Sequence, residues 1–201
     1  MHSQNDEEKY ILENFKNKKN GTFLDIGAYD GIKISNTYQL YLNGWHGTYL
    51  EPSAKIFRRL SKNIKNRCNL VNCALGDKND IIEFWECRED TKKYGISTLS
   101  KNYTKEKGES LFDFYYSKSI TWDVLIKKFG SEYDFISIDV ESLNSLVINL
   151  FPIELFKKLS LICIEKEKNI EFKNLYKNNF EIYHETKDNL IFKRTFNIKI
   201  I

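Results

Sequence analysis

The stretch Thr22-Phe-Leu-Asp-Ile-Gly-Ala-Tyr-Asp-Gly31 constrains this chain more than any other: a short apolar run ends on a carboxylate and passes directly into a glycine-bearing turn. Phe23, Leu24 and Ile26 suit a strand buried on both faces, and Gly27 and Gly31 bracket a turn into the next helix. Glycine lets backbone approach a ligand closely, and a helix start aims free N–H groups at it. The segment therefore reads as the cradle of a nucleotide-type cofactor at the carboxyl end of a parallel strand.

The acids inside the turn select among such cofactors. A dinucleotide loop accepts a pyrophosphate, and Asp25 or Asp30 beside that anion is repulsive. S-adenosylmethionine carries an ammonium and a sulfonium and no phosphate, so carboxylates favour it. A second acid, Glu51, ends the next apolar run in Gly47-Thr-Tyr-Leu-Glu-Pro52, where a carboxylate can accept both ribose hydroxyls.

Strands are expected at 22–26, 47–50, 69–74, 81–86, 135–139, 161–165, 181–185 and 189–193. Helices are expected at 7–17, 35–42, 54–65, 121–129, 142–149, 155–158 and 171–178. Alternation of this kind predicts a doubly wound, mostly parallel sheet of about seven strands with helices on both faces. The short link Thr186-Lys-Asp188 joins the last two strands as an antiparallel hairpin. This arrangement is the class I, Rossmann-like α/β fold of methyltransferases. Residues 1–20 form an N-terminal helical segment on the sheet edge or over the cleft. Residues 88–118, polar with interspersed aromatics, read as a substrate loop or lid.

At 201 residues and 41% hydrophobic, the chain suits a single domain over 1–201. Its net charge of +3 is spread along polar helix faces, so a nucleic-acid partner is not demanded. Four cysteines without a C-x-x-C pair fit a reducing, cytoplasmic location and not a thiolate metal site. No apolar run is long enough to span a membrane.

With those residues in hand, the chain resembles the FkbM-type family of S-adenosylmethionine-dependent methyltransferases. The matching pieces are the 23–31 turn, Ser35-Asn-Thr37, Gly44-Trp-His-Gly47, Tyr49-Leu-Glu-Pro52, Asn72-Cys-Ala-Leu-Gly76, Ser97-Thr-Leu99, Tyr133-Asp-Phe-Ile-Ser-Ile-Asp-Val-Glu141 and Ile162-Cys-Ile-Glu165. The resemblance implies that Asp25, Gly27, Tyr29, Asp30 and Gly31 shape the methionine end of the cofactor pocket. It implies that Ser35 and Asn36 start a helix near the cofactor carboxylate, that Glu51 and Pro52 hold the ribose, and that Asn72, Cys73 and Ala74 lie near the adenine. Where the family reads D-x-E-G-x-E after the fourth strand, this chain has Asp139-Val-Glu-Ser-Leu-Asn144, with Ser142 for the glycine and Asn144 for the last acid.

The expected activity is O-methylation of a hydroxyl on a sugar or glycan, an acceptor implied by the resemblance alone. The alternatives are a polyketide-like small molecule, a nucleic acid, or a cofactor-binding module without catalysis. The chain is also compatible with being one module of a longer glycan-processing polypeptide. A hydroxyl needs a general base. Asp139 is the first candidate, Glu141 the second and Glu165 the third; their other readings are a cofactor anchor, a helix cap and a solvent-facing acid. His46 and His184 are further conceivable bases. These three acids could also ligate magnesium, but without the family's last acid the expectation is no metal. Tyr29, Trp45, Tyr94, Tyr115, Tyr116 and Trp122 are aromatic candidates for ligand stacking, with Trp122 better suited to a helix core.

Overall fold

The computed structural model describes residues 1–65, 67–88, 97–98, 101–141, 143–168 and 170–195. In chain order, helix α1 (Glu7–Asn14) precedes β1 (Thr22–Ile26), α2 (Tyr38–Leu42), β2 (His46–Leu50), α3 (Ala54–Asn63) and β3 (Asn69–Val71). Then follow β4 (Ala74–Leu75), β5 (Asp80–Cys87), β6 (Ser97–Thr98), α4 (Lys101–Lys107), β7 (Phe112–Ile120), α5 (Trp122–Phe129) and β8 (Phe135–Ile138). The chain continues through α6 (Asn144–Asn149), β9 (Leu161–Glu165), α7 (Lys173–Lys177), β10 (Phe180–Glu185) and β11 (Asn189–Arg194).

Seven strands form the main sheet in the order β10-β11-β9-β8-β1-β2-β3. The five strands from β9 to β3 run parallel, and the β10–β11 hairpin closes the β9 edge antiparallel, as expected. The two-residue period sorts the core into two layers. Phe23, Tyr49, Phe135, Leu161 and Ile191 face Ile11 of α1 and Phe15 just after it, Leu40 of α2 and Leu60 of α3. Leu24, Ile26, Leu50, Ile136, Ile138, Ile162 and Phe192 face Trp122 and Leu125 of α5, Val147 of α6 and Leu175 of α7. Helices thus cover both faces, and all strand-end acids emerge at one end of the sheet.

Five expectations need correction. The 69–74 strand breaks at Asn72, whose Nδ2 donates to the Glu51 and Pro52 carbonyls and turns the chain, so that β4 leaves the main sheet. The 81–86 strand belongs to a second sheet, β4-β7-β5-β6, where β5 and β7 pair antiparallel over eight positions. Strand β7 occupies much of the stretch read as a loop: Phe112, Phe114 and Tyr116 alternate with Asp113, Tyr115 and Ser117, and that half-exposed pattern carries no apolar run. Tyr94 and Leu99 lie outside the described residues. The 155–158 helix is instead a 3-10 turn at Ile153–Leu155 after Pro152, and α2 starts at Tyr38 because Ser35–Thr37 is engaged elsewhere.

Helix α1 lies on the sheet face and reaches the hairpin. The fully buried Glu7 accepts from Thr186 Oγ1 at 2.6 Å and Asn189 Nδ2 at 2.9 Å. At the opposite end from the cleft, Asp134 knits three strands. Its carboxylate takes Lys18 Nζ at 2.8 Å, Lys158 Nζ at 3.0 Å and the Thr22 N–H at 2.9 Å, while its carbonyl accepts from Ser160 and Leu161. Burial alone would raise this carboxyl, but the two ammonium groups and the Thr22 N–H outweigh it and hold it below the usual range. A depressed carboxyl contributes stability above its unfolded pKa and loses it as pH falls. Asp134→Ala is expected to cost about 2–3 kcal/mol at neutral pH, with the gap to wild type closing only below about pH 4. Urea unfolding of both proteins across pH checks this.

Candidate functional site

The carboxyl ends of β1, β2 and β8 open into a cleft. Its floor is β1 ending on Asp25 and Ile26. Gly27 and Ala28 then turn, both N–H groups donating to the Leu50 carbonyl at 3.0 Å. Gly27 has φ +84°, and a Cβ there would lie 1.7 Å from the Asp139 carbonyl oxygen, so only glycine lets β1 and β8 exit side by side.

Glu51 fixes the turn from the neighbouring strand. One carboxylate oxygen accepts from the Tyr29 N–H at 2.9 Å and the other from the Ser53 N–H at 2.8 Å. Ser53 in turn caps α3, accepting from the Ile56 N–H at 3.1 Å, and donates to the buried Glu86 of β5. Asp25 accepts from Thr37 Oγ1 at 2.6 Å. Asn36 Nδ2 donates to Ser137 Oγ at 3.1 Å and to Cys163 Sγ at 3.5 Å, whereas its Oδ1 is buried without a partner. Three non-glycine residues lining the cleft hold left-handed backbone: Tyr29 at +49°, Ile34 at +49° and Glu141 at +37°. For a β-branched isoleucine this is a strained conformation, of the kind that concentrates at ligand sites.

Half-buried Asp139, Glu141 and Glu165 converge at the β8 end, with one oxygen from each within 4.8 Å of the others, a spacing at which the set could hold a cation. The Asp139 and Glu165 carboxyls share a hydrogen bond. Asn144, fully buried, supports them: its Oδ1 accepts from the Val140 N–H at 3.0 Å and its Nδ2 donates to Glu165 Oε2 at 3.2 Å. Glu167 accepts from Ser145 N and Oγ at 2.9 and 3.1 Å, which pins the start of α6. That helix begins at Asn144 and not at 142, and Ser142 lies outside the described residues.

The predicted residues divide into two groups. Asp25, Gly27, Tyr29, Ser35, Asn36, Glu51, Pro52, Cys73, Ala74, Asp139 and Glu141 line the cleft. Asp30, Gly31, Asn72 and Glu165 stand behind that lining. Asp30 Oδ1 accepts from the Ile32 and Lys33 N–H groups, Gly31 packs on Leu60 and Ile64 of α3, and Asn72 ties down β2. The two histidine candidates are remote: His46 is exposed at the amino end of β2, and His184 stacks on Tyr10. Trp45 and Trp122 are core residues, and Tyr115 and Tyr116 are exposed on β7. Sequence reading missed Ile34, Ile56, Phe84, Ser137 and Leu143 of the lining. The two-residue offset of Ser137 from Asp139 was the one available signal, since it puts both on the same face of β8.

Among the described residues, no lysine, arginine or histidine lines the cleft, whereas four carboxyls do: Asp25, Glu51, Asp139 and Glu141. Burial pushes Asp25 up to about 7 against the Thr37 hydrogen bond. Burial pushes Glu51 up to about 8, aided by Glu86 and Asp25, although the Ser53 and Tyr29 N–H groups oppose it. Burial and the Glu141 charge raise Asp139 to about 7, and burial and Asp139 raise Glu165 to about 8. An acid-rich cleft with an orphan carbonyl acceptor fits a cationic, hydrogen-bond-donating ligand and repels a pyrophosphate.

Sheet order, terminal hairpin and acidic strand-end cleft together define a class I methyltransferase. The sequence matches the methyltransferase FkbM domain family over residues 25–190, and the chain belongs to that family. It is an S-adenosylmethionine-dependent methyltransferase. Among curated proteins, none matches the sequence. Solved structures share the fold at low identity. A candidate RNA methyltransferase of Pyrococcus horikoshii is 11% identical with a TM-score of 0.51, covering 96% of this chain and 82% of its own. A candidate methyltransferase of Escherichia coli is 13% identical with a TM-score of 0.51, covering 98% and 90%. A candidate methylase of Haemophilus influenzae is 12% identical with a TM-score of 0.51, covering 92% and 85%.

Raised carboxyls give the cleft a pH signature. The folded chain keeps protons on Asp25 and Glu51 that the unfolded chain has released above about pH 4. Their contribution to stability is therefore full below that point and falls as pH rises through about 7 and 8. A cationic ligand needs these groups ionised. The thermal shift produced by S-adenosylmethionine is expected to be larger at about pH 8.5 than at about pH 6, whereas an equal shift at both would mean that the free acids are already charged.

Proposed function

We propose that the protein is an O-methyltransferase acting on a hydroxyl of a sugar or glycan. The observation that carries the proposal is the grouping of four carboxyls, Asp25, Glu51, Asp139 and Glu141, in the cleft lining, backed by a hydrogen-bonded acid pair at the end of β8. The family resemblance supports the acceptor class. S-adenosylmethionine supplies an electrophilic methyl group on a sulfonium. Asp25, Gly27, Tyr29, Ser35 and Asn36 would hold its methionine end, where the unpartnered Asn36 Oδ1 could accept from the ammonium. Glu51 would hold the ribose hydroxyls. Pro52, Cys73 and Ala74, extended by the apolar Ile56 and Phe84, would hold the adenine. Asp30, Gly31 and Asn72 hold these groups from behind.

In-line transfer depends first on positioning. Asp139 then takes the proton of the acceptor hydroxyl as the new carbon–oxygen bond forms. A carboxyl raised to about 7 suits a base working near neutrality. Glu165 shares its proton with Asp139, and Glu141 adds negative charge that strengthens the base. A nucleic-acid acceptor is the weaker reading, because its phosphates would meet an acidic cleft with no basic side chain in its lining among the described residues.

Labelled S-adenosylmethionine, incubated with a panel of glycans and with RNA, with and without chelator, tests the reading. Methylation of a glycan hydroxyl is the expected result; transfer to RNA alone, or binding without transfer, overturns it. Activity abolished by chelator and restored by magnesium would give the three converging acids a metal-binding role. Asp139→Asn is expected to reduce transfer by about 1,000-fold with S-adenosylhomocysteine affinity kept within a few-fold. A matching loss of affinity would make Asp139 a cofactor anchor.

A further inference from the structure

Asn144 stands where the family pattern carries an acid, and its environment explains why an amide is needed. It is fully buried and is the first residue of α6, so the cap position of that helix belongs to Leu143 and not to it. Its side chain spans two separate parts of the acid pair. Oδ1 accepts from Val140 N–H, the peptide immediately after Asp139, and Nδ2 donates to Glu165 Oε2 across the gap between β8 and β9.

The neighbouring cation does not serve Glu165. Lys166 turns to the terminal hairpin, donating to the Thr186 and Lys187 carbonyls and pairing with Glu185 at 2.7 Å. Among the described residues, Asn144 is thus the neutral donor to Glu165. A carboxylate at 144 could still accept from Val140, but it would offer no amide donor to Glu165 and would add a like charge beside two acids. Only a side chain with an acceptor and a donor on one carbon satisfies both contacts.

We propose that Asn144 is a positioning residue for methyl transfer: it holds the Glu165 carboxyl against Asp139 and locks the backbone that carries Asp139. This rests on Asp139 being the base, as argued above. With Glu165 fixed by Asn144, the Asp139 oxygen that is not bonded to Glu165 is left directed to the cleft, where the acceptor hydroxyl must meet it. Loss of the amide frees Glu165 and lets Asp139 drift, and a misplacement of about 1 Å costs about 100-fold in rate.

The test is a cycle of Asn144→Asp, Glu165→Gln and the double variant, read by thermal unfolding and by kinetics. N144D removes the donor and keeps the acceptor for Val140. The double variant restores a complementary pair with the roles reversed, because an amide at 165 can donate to a carboxylate at 144. The expected result is a Tm about 3–6 °C lower for N144D, largely recovered in the double variant. The kcat of N144D is expected to fall about 100-fold, with acceptor KM and S-adenosylhomocysteine affinity within about threefold. A residue that only secured the helix start would give additive Tm changes and leave kcat untouched, and either outcome overturns the proposal. If the wild-type protein methylates no glycan, the acceptor reading fails instead, and the thermal cycle alone decides whether Asn144 and Glu165 act as a pair.

Discussion

The cleft depends on a single carboxylate. Glu51 accepts the Tyr29 N–H on one oxygen and the Ser53 N–H on the other, so one side chain ends β2, holds the turn after β1 and sets the start of α3. Ser53 passes the constraint on to Glu86, and through it to the second sheet. A glutamine of the same length would offer one acceptor for the two N–H groups, because its amide nitrogen cannot accept. Burial keeps the Glu51 carboxyl protonated up to about pH 8, and among the described residues the cleft lining holds no counter-charge. A cationic ligand would draw it into its charged form.

The same logic separates the two ends of the parallel sheet. At the amino ends, Asp134 has two lysines and a backbone donor, and its carboxyl is depressed. At the carboxyl ends, Asp25, Glu51 and Asp139 have hydroxyls, peptides and each other, and all are raised. Both sets are buried acids on adjacent strands, so burial alone cannot distinguish structure from function here. What distinguishes them is the presence of the pairing cations, and cations are withheld where a ligand is to provide the charge.

Much of this was readable in the sequence because it is local. The apolar runs gave β1 and β9 with their observed bounds, and strand-end acids followed from their position after those runs. The hairpin was legible from a three-residue link. The features that were not legible depend on partners distant in the chain. Asn144 meets Glu165 across 21 residues, and Glu7 meets Asn189 across 182. Glu7 sits in a run of polar residues that reads as an exposed helix start, yet it is fully buried against the hairpin turn. Strand β7 escaped notice because each of its faces is only partly covered, so aromatic and polar residues alternate without the contrast that marks a half-buried strand.

That strand also changes what encloses the site. The second sheet contributes a hydrogen-bonded wall: Ser117 of β7, in the stretch expected to be a substrate loop or lid, donates to the Pro52 carbonyl at 2.9 Å, Ser53 reaches Glu86 of β5, and Phe84 of β5 faces the cleft. These contacts all fall beside β2 and β3, the side of the sheet where Glu51, Cys73 and Ala74 lie. The strained residues Tyr29, Ile34 and Glu141 follow β1 and β8, toward the other side. Wall and strain thus divide the cleft into a side closed by sheet pairing and a side shaped by single residues in costly conformations. Backbone held against its own preference concentrates at ligand sites, and here it lies on the β1–β8 side of the cleft, with Asp139.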